Sequence, residues 1–154
     1  MMKRSEFFDL YNKLQGLRYH SDNKNFSYAL IKNIKAIEQD INKLNEVIKP
    51  TEEFLQFEQE RLAICQSHSI KDDNGDPLLN GDEFQIENIE KFNEDLIPLK
   101  TKYQDMLNYR QEQIEKYNSL LDQEIEMELV KIGPDDLPDT ITPNEIEDIY
   151  PILL

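Results

Sequence analysis

The residues best spaced to do chemistry lie between Asp72 and Glu83. Counting Asp72 as the first position of a twelve-residue loop puts Asn74 third, Asp76 fifth, Asn80 ninth and Glu83 last, which are side-chain ligand positions of an EF-hand calcium loop. Such a loop needs glycine at its sixth position for the sharp turn, and here that position is Pro77. Proline holds φ at about −65° and cannot supply a positive φ. EF-hands also work in pairs, and the chain has no second loop of this pattern. A polar turn region is therefore the preferred reading, with no metal and no cofactor expected. The calcium loop Asp72, Asn74, Asp76, Asn80, Glu83 stands as the weaker alternative.

Other reactive side chains are sparse or undistinguished. Cys65 and His68 are two soft-metal ligand types close in sequence, but zinc takes three or four ligands and His20 is the only other histidine or cysteine. They read as an apolar-face cysteine beside a surface histidine. Acidic pairs such as Asp72-Asp73 and Asp135-Asp136 are ordinary among 32 Asp and Glu, and acid-base work needs a carboxyl shifted by burial in a cleft. The four glycines form no phosphate-cradling loop. No catalytic residues and no enzyme activity are expected.

The elements that would carry these residues are mostly helices. Ser5 can cap a short helix over 5–16, with Phe8, Leu10, Tyr11 and Leu14 at helical spacing and Gly16 at its end. From Phe26, apolar residues recur at Leu30, Ile34, Ile37, Ile41, Leu44 and Ile48, the stepping of a coiled-coil seam. Leu55, Leu62 and Cys65 keep that phase beyond Pro50, which predicts one kinked helix over 26–66. The stretch 69–86 reads as turn and β-hairpin, with strands near 77–79 and 83–86 around Asn80-Gly81. A second long helix, 88–122, carries Ile89, Phe92, Leu96, Leu99, Tyr103, Met106, Arg110, Ile114, Tyr117 and Leu121 in steps of three and four, with a kink at Pro98. Tyr103 and Tyr117 fall in its seam, whereas Tyr109 and Tyr11 are open to an interface role. The compact turn between the long helices folds the second back on the first, seam to seam. The last segment, 124–154, combines an alternating strand from Glu124, a Gly133-Pro134 turn and a short helix that starts at the capping box Thr142 to Glu145 and ends before Pro151.

The expected fold class is therefore mainly α, a long antiparallel helical hairpin, coiled-coil-like, with a small β-hairpin at its tip and a short C-terminal strand and helix. One domain, 1–154, is the size-based expectation. Seventeen basic against 32 acidic residues give a net charge of −15, so direct contact with nucleic acid or an anionic membrane is disfavoured. The charge is uneven, +3 over residues 1–50, −10 over 51–123 and −8 over 124–154. One cysteine allows no internal disulfide and fits a reducing compartment. No apolar run approaches the roughly 18 residues of a membrane span, and Met1 to Glu6 has no signal-peptide apolar core, so a cytoplasmic product is expected.

Phe26-Ser27-Tyr28-Ala29-Leu30-Ile31-Lys32-Asn33-Ile34-Lys35, Lys71-Asp72-Asp73-Asn74-Gly75-Asp76-Pro77 and Lys91-Phe92-Asn93-Glu94-Asp95-Leu96 resemble segments of a family of small phage and prophage proteins of unassigned function, usually encoded among late genes. The alternating 124–132 segment, Asp136-Leu137 and Ile141-Thr142-Pro143 extend the resemblance over about residues 24–152. It implies a viral protein in the cytoplasm of a bacterial host or on a virion, and it carries over no catalytic residue. The order helix, hairpin, helix is also similar to the architecture of a prefoldin subunit. Two roles fit. One is a non-enzymatic interaction or assembly protein that uses its helical hairpin to bind other proteins or other copies of itself. The other is an acidic inhibitor or nucleic-acid mimic that fills a basic groove of a host defence protein.

Overall fold

The computed structural model describes all residues, Met1–Leu154. The fold is mainly α, as expected, with six α-helices and two small antiparallel strand pairs. By contacts the chain falls into two compact units, Met1–Ile48 with Glu115–Leu154, and Lys49–Ile114.

The first unit opens with β1 (Met2–Lys3) and α1 (Arg4–Gly16). Lys3 is the residue before the helix, not Ser5, and Glu6 Oε2 accepts its backbone N–H at 2.6 Å. After a seven-residue connection, α2 (Lys24–Ile48) starts where Asn23 Oδ1 accepts the Phe26 N–H. The Arg4 guanidinium reaches Asp40 Oδ2 at 2.7 Å and the Leu120 carbonyl at 2.9 Å, so α1 runs back along α2. Phe7, Leu10, Leu14 and Leu17 interlock with Phe26, Leu30, Ile34 and Ile37 of α2, all nearly or wholly buried. The rest of this core comes from the C-terminal segment through Ile132, Ile149 and Ile152.

That packing corrects one expectation. The seam of α2 is real, but from Phe26 to Ile41 it is covered by α1 and the C-terminal segment and not by the second long helix. An amphipathic face records only that it must be buried, and any apolar element of the right length can bury it.

The C-terminal segment begins with β4 (Glu124–Ile125), which pairs antiparallel with β1, Met2 opposite Ile125 and Lys3 opposite Glu124. The strand expected to run on stops there; from Glu126 the chain has no ladder until Ile132 bridges Leu153. Asn33, 1% exposed on α2, holds this stretch by donating to the Val130 carbonyl at 2.9 Å and accepting the Val130 N–H at 2.7 Å. The closing helix α6 (Pro143–Asp148) has the capping box expected of it, with Thr142 Oγ1 accepting from Glu145 N and Glu145 Oε1 accepting from Thr142 N.

The second unit is a helical hairpin with a β-tip. The kinked helix expected over 26–66 is in fact two helices, because Pro50 interrupts the backbone ladder and Thr51 caps a new helix, α3 (Glu52–Ser67), accepting the Phe54 N–H at 3.1 Å. Of the three residues expected to keep the phase, Cys65 alone is buried. Phe57 and Cys65 are the buried residues of α3, whereas Leu55 and Leu62, expected in the seam, lie outside at 51% and 39% exposure. Thr51→Ala should destabilise the protein by about 1 kcal/mol, the usual worth of an N-cap; a urea midpoint unchanged within error would show that the cap contributes nothing.

At the tip, β2 (Leu79–Asn80) and β3 (Glu83–Phe84) pair as Leu79 with Phe84 and Asn80 with Glu83. The loop between them is Gly81-Asp82, and Gly81 has φ +65°, the sign required at the first central position of a type II′ turn. The expected strands were a little longer; isolated bridges Ser69–Ile86 and Lys71–Pro77 account for the extra residues.

The return helix α4 (Ile89–Lys102) is capped by Asn88 and contains Pro98 without ending there. The break falls at Tyr103, after which α5 (Gln104–Asp122) continues the chain. Leu99, Tyr103 and Met106 bury Phe57, with Tyr103 edge-on to it at 5.5 Å between ring centroids.

Candidate functional site

The five oxygen residues of the tip do not converge. Asp72 Oδ1 accepts the backbone N–H groups of Asn74 at 2.9 Å and Asp76 at 3.0 Å, and Gly75 between them has φ +83°. This is an aspartate-centred turn, so the carboxylate that would lead a calcium loop is bonded to its own backbone. Asn80 and Glu83 belong instead to the β2–β3 pair. No group of three or more His, Cys, Asp or Glu side chains is gathered in a metal-binding cluster.

Cys65 and His68 also part company. Cys65 is buried, with Arg61 Nη1 3.8 Å from its sulfur, and Arg61 itself forks onto Glu58 at 2.8 and 3.0 Å. That hydrogen-bonded pairing lowers the Glu58 pKa and raises that of Arg61. His68 Nε2 lies 2.6 Å from Asp95 Oδ2, and its ring meets Phe92 edge-on. Between α3 and the tip, a cleft of about 400 Å³ is lined by Arg61, Leu62, Cys65, Glu83, Phe84 and Phe92. The Tyr103 phenol, facing the Glu60 carboxylate and removed from water, is pushed up to about 12.

The outer faces of the hairpin carry apolar groups with nothing over them. Leu55 and Leu62 are seven residues apart, hence two helical turns up one face of α3, and Ile97 on α4 is 60% exposed. Tyr109, free for an interface on sequence grounds, is 52% exposed. The same unit has seven basic and 15 acidic residues, and six of the acidic ones, Asp72, Asp73, Asp76, Asp82, Glu83 and Glu87, crowd the tip.

In the first unit the structure assembles a set that the sequence did not announce. His20, 3% exposed, has Nδ1 3.0 Å from Thr140 Oγ1 and Nε2 2.9 Å from Glu145 Oε2. A carboxylate only accepts, so Nε2 carries a proton toward Glu145. The order hydroxyl, imidazole, carboxylate is that of a nucleophile, base and orienter. Here, however, Glu145 Oε2 also accepts from Tyr19 Oη at 2.5 Å while Oε1 caps α6. The bonds of Tyr19 and His20 tie the α1–α2 connection to the α6 cap and to Thr140 just before it, which makes the set a clamp. Thr140 and Glu145 are 120 and 125 residues from His20. The one sequence signal was the capping box at Thr142, which located Glu145 but not its histidine.

The clamp has a pH signature. Hydrogen bonds from Tyr19, then His20, hold the Glu145 carboxyl at about 2, well under its ordinary 4.5. A depressed folded pKa stabilises above the unfolded value and ceases to do so as protons bind the folded form. The contribution should be full above about pH 4.5 and fall away between 4.5 and 2. Urea midpoints of Glu145→Gln should lie below those of the parent at pH 6 and converge on them toward pH 2; a gap independent of pH would contradict this role.

Comparison of the chain with family models, with curated proteins and with solved structures finds no match.

Proposed function

We propose that this chain is a non-enzymatic, phage-type protein–protein interaction or assembly protein that docks through the α3–α4 hairpin, in the cytoplasm of a bacterial host or on a virion. The observation that carries this reading is the outward position of Leu55, Leu62 and Ile97 on a hairpin whose helices meet over a small cluster of four buried side chains, Phe57, Leu99, Tyr103 and Met106. Apolar groups on a rigid, charged helical scaffold favour helix-on-helix docking, in which residues spaced by three, four or seven act as anchors. The partner is another protein or another copy of the chain. Support for the location is that no helix is long and apolar enough to cross a membrane, together with the resemblance to phage proteins.

A photo-crosslinking residue placed at Leu62 or Ile97 in expressing cells tests this directly. A discrete adduct, of two copies or with one protein species, is expected at these positions and not from Lys43, an exposed polar site on α2. Indistinguishable labelling from all three positions would refute docking through the hairpin. Leu55→Ser with Leu62→Ser should abolish the adduct formed from Ile97 and leave the circular dichroism spectrum unchanged.

The six acidic side chains at the tip favour a second reading, in which the hairpin enters a basic groove of a host defence protein as a nucleic-acid mimic. Contacts of that kind weaken with salt over a Debye length of about 10 Å at 0.1 M. An adduct yield that drops steeply between low and high salt points to the acidic tip. A yield indifferent to salt points to the apolar face.

A further inference from the structure

The first unit holds a groove of about 950 Å³, separate in sequence from the hairpin, lined by Met1, Met2, Phe7, Ile125, Met127 and Leu129, with Glu126 and Glu128 also on its walls. Its wall is unfinished β-structure. β1 reaches only Glu124 and Ile125, and the Arg4 N–H closes on the Gln123 carbonyl at 3.0 Å, so odd-numbered residues of this strand turn their backbone groups toward β1. With a period of two, Met127 and Leu129 present theirs to the same edge, and these groups bond to no other residue of the protein. The even-numbered Val130 faces the opposite way and is taken by Asn33. The side chains alternate as strictly: Ile125, Met127 and Leu129 are half-buried, whereas Glu124, Glu126 and Glu128 are exposed.

We propose that this edge binds an extended segment of another protein in which apolar residues alternate with lysine or arginine. The unpaired N–H and C=O groups of Met127 and Leu129 supply ladder hydrogen bonds, the mode of recognition in which a peptide adds a strand to an open sheet edge. Apolar side chains of the segment enter the groove beside Met127, Met2 and Phe7, where unbranched thioethers adapt to varied shapes. Its alternate side chains lie on the face of Glu126 and Glu128. Directly opposite residues on neighbouring strands sit about 4.5–5.5 Å apart at Cβ, so lysine or arginine there meets a carboxylate, whereas an acidic residue is repelled. Glu124 is already opposite Lys3, the same register sets Met1 opposite Glu126, and the Lys131 ammonium is bonded to the Pro151 carbonyl, which leaves Glu128 as the carboxylate read directly and Glu126 as its neighbour on the same face.

Fluorescence anisotropy with a labelled synthetic peptide of about five residues, alternating valine and lysine, tests the assignment on the full chain in physiological salt. Saturable one-to-one binding is expected, and the valine–glutamate counterpart should not bind. N-methylation of alternate peptide amides should weaken binding about tenfold or more, by removing ladder bonds and not charge. Glu126→Lys with Glu128→Lys should loosen the lysine peptide about tenfold and admit the glutamate peptide. Both side chains are exposed, so the fold, checked by circular dichroism, should be retained. The hairpin variants Leu55→Ser and Leu62→Ser should bind as the parent does. An N-methylated peptide that binds as tightly as its parent, or a charge-reversed protein with unchanged preference, would overturn the proposal.

Discussion

Phe26→Ala should be the most damaging single truncation in the chain, costing about 3–5 kcal/mol. Phe26 is 0% exposed and sits where three elements meet: it begins α2, packs with α1 through the shared core, and meets the His20 ring edge-on at 6.2 Å between centroids. Truncation removes the transfer energy of the ring and leaves a hole that the capped first turn of α2, fixed by Asn23, cannot easily close. Against a typical total of about 5–15 kcal/mol, such a loss takes a large share of the stability. The melting temperature should fall by roughly 6–20 °C, and amide exchange in α1 and α2 should accelerate. A loss below about 1 kcal/mol would mean that the ring is not packed as described.

Asn33→Leu should come next, at about 2–4 kcal/mol, by a different mechanism. The amide of Asn33 completes both backbone groups of Val130. Leucine fits the space approximately but leaves a donor and an acceptor without partners, and that desolvation penalty is the larger part of the effect. Asn33→Asp separates polarity from shape. It keeps the volume and an acceptor for the Val130 N–H, yet sets a carboxylate oxygen against the Val130 carbonyl, so it should be at least as harmful at neutral pH. If the aspartate variant were as stable as the parent, the clamp would not be what holds the Val130 segment. Protease cleavage within 126–131 should rise in both variants, because release of Val130 frees the strand on which the groove depends.

Much of the local structure was legible in the sequence. The stepping from Phe26 to Ile48 marked α2, Thr142 to Glu145 marked the start of α6, and Asn80-Gly81 marked the tip, because periodicity, capping chemistry and positive φ are properties of a few adjacent residues. Pro50 marked an interruption. It did not reveal that Thr51 would start a new helix and carry Leu55 and Leu62 to the outside, since helical phase need not carry across a cut in the ladder.

The candidate sites were less legible. Asp72, Asn74, Asp76, Asn80 and Glu83 keep a ligand spacing in the chain, but Asp72 spends its carboxylate on local amides, a choice made by backbone geometry. The His20, Thr140 and Glu145 clamp and the Asn33–Val130 pair join residues roughly 100 or more apart, and no pattern along one chain encodes which distant partner a polar group will find. Composition and periodicity specify a mainly helical, strongly acidic chain with amphipathic faces that had to be buried. What buries them is settled by packing between distant segments: α1 and the C-terminal isoleucines for most of α2, and the return helix for α3. Hydrophobic burial is non-directional, so a face demands cover without naming it, whereas shape and hydrogen bonds choose among the candidates only once the chain has closed on itself.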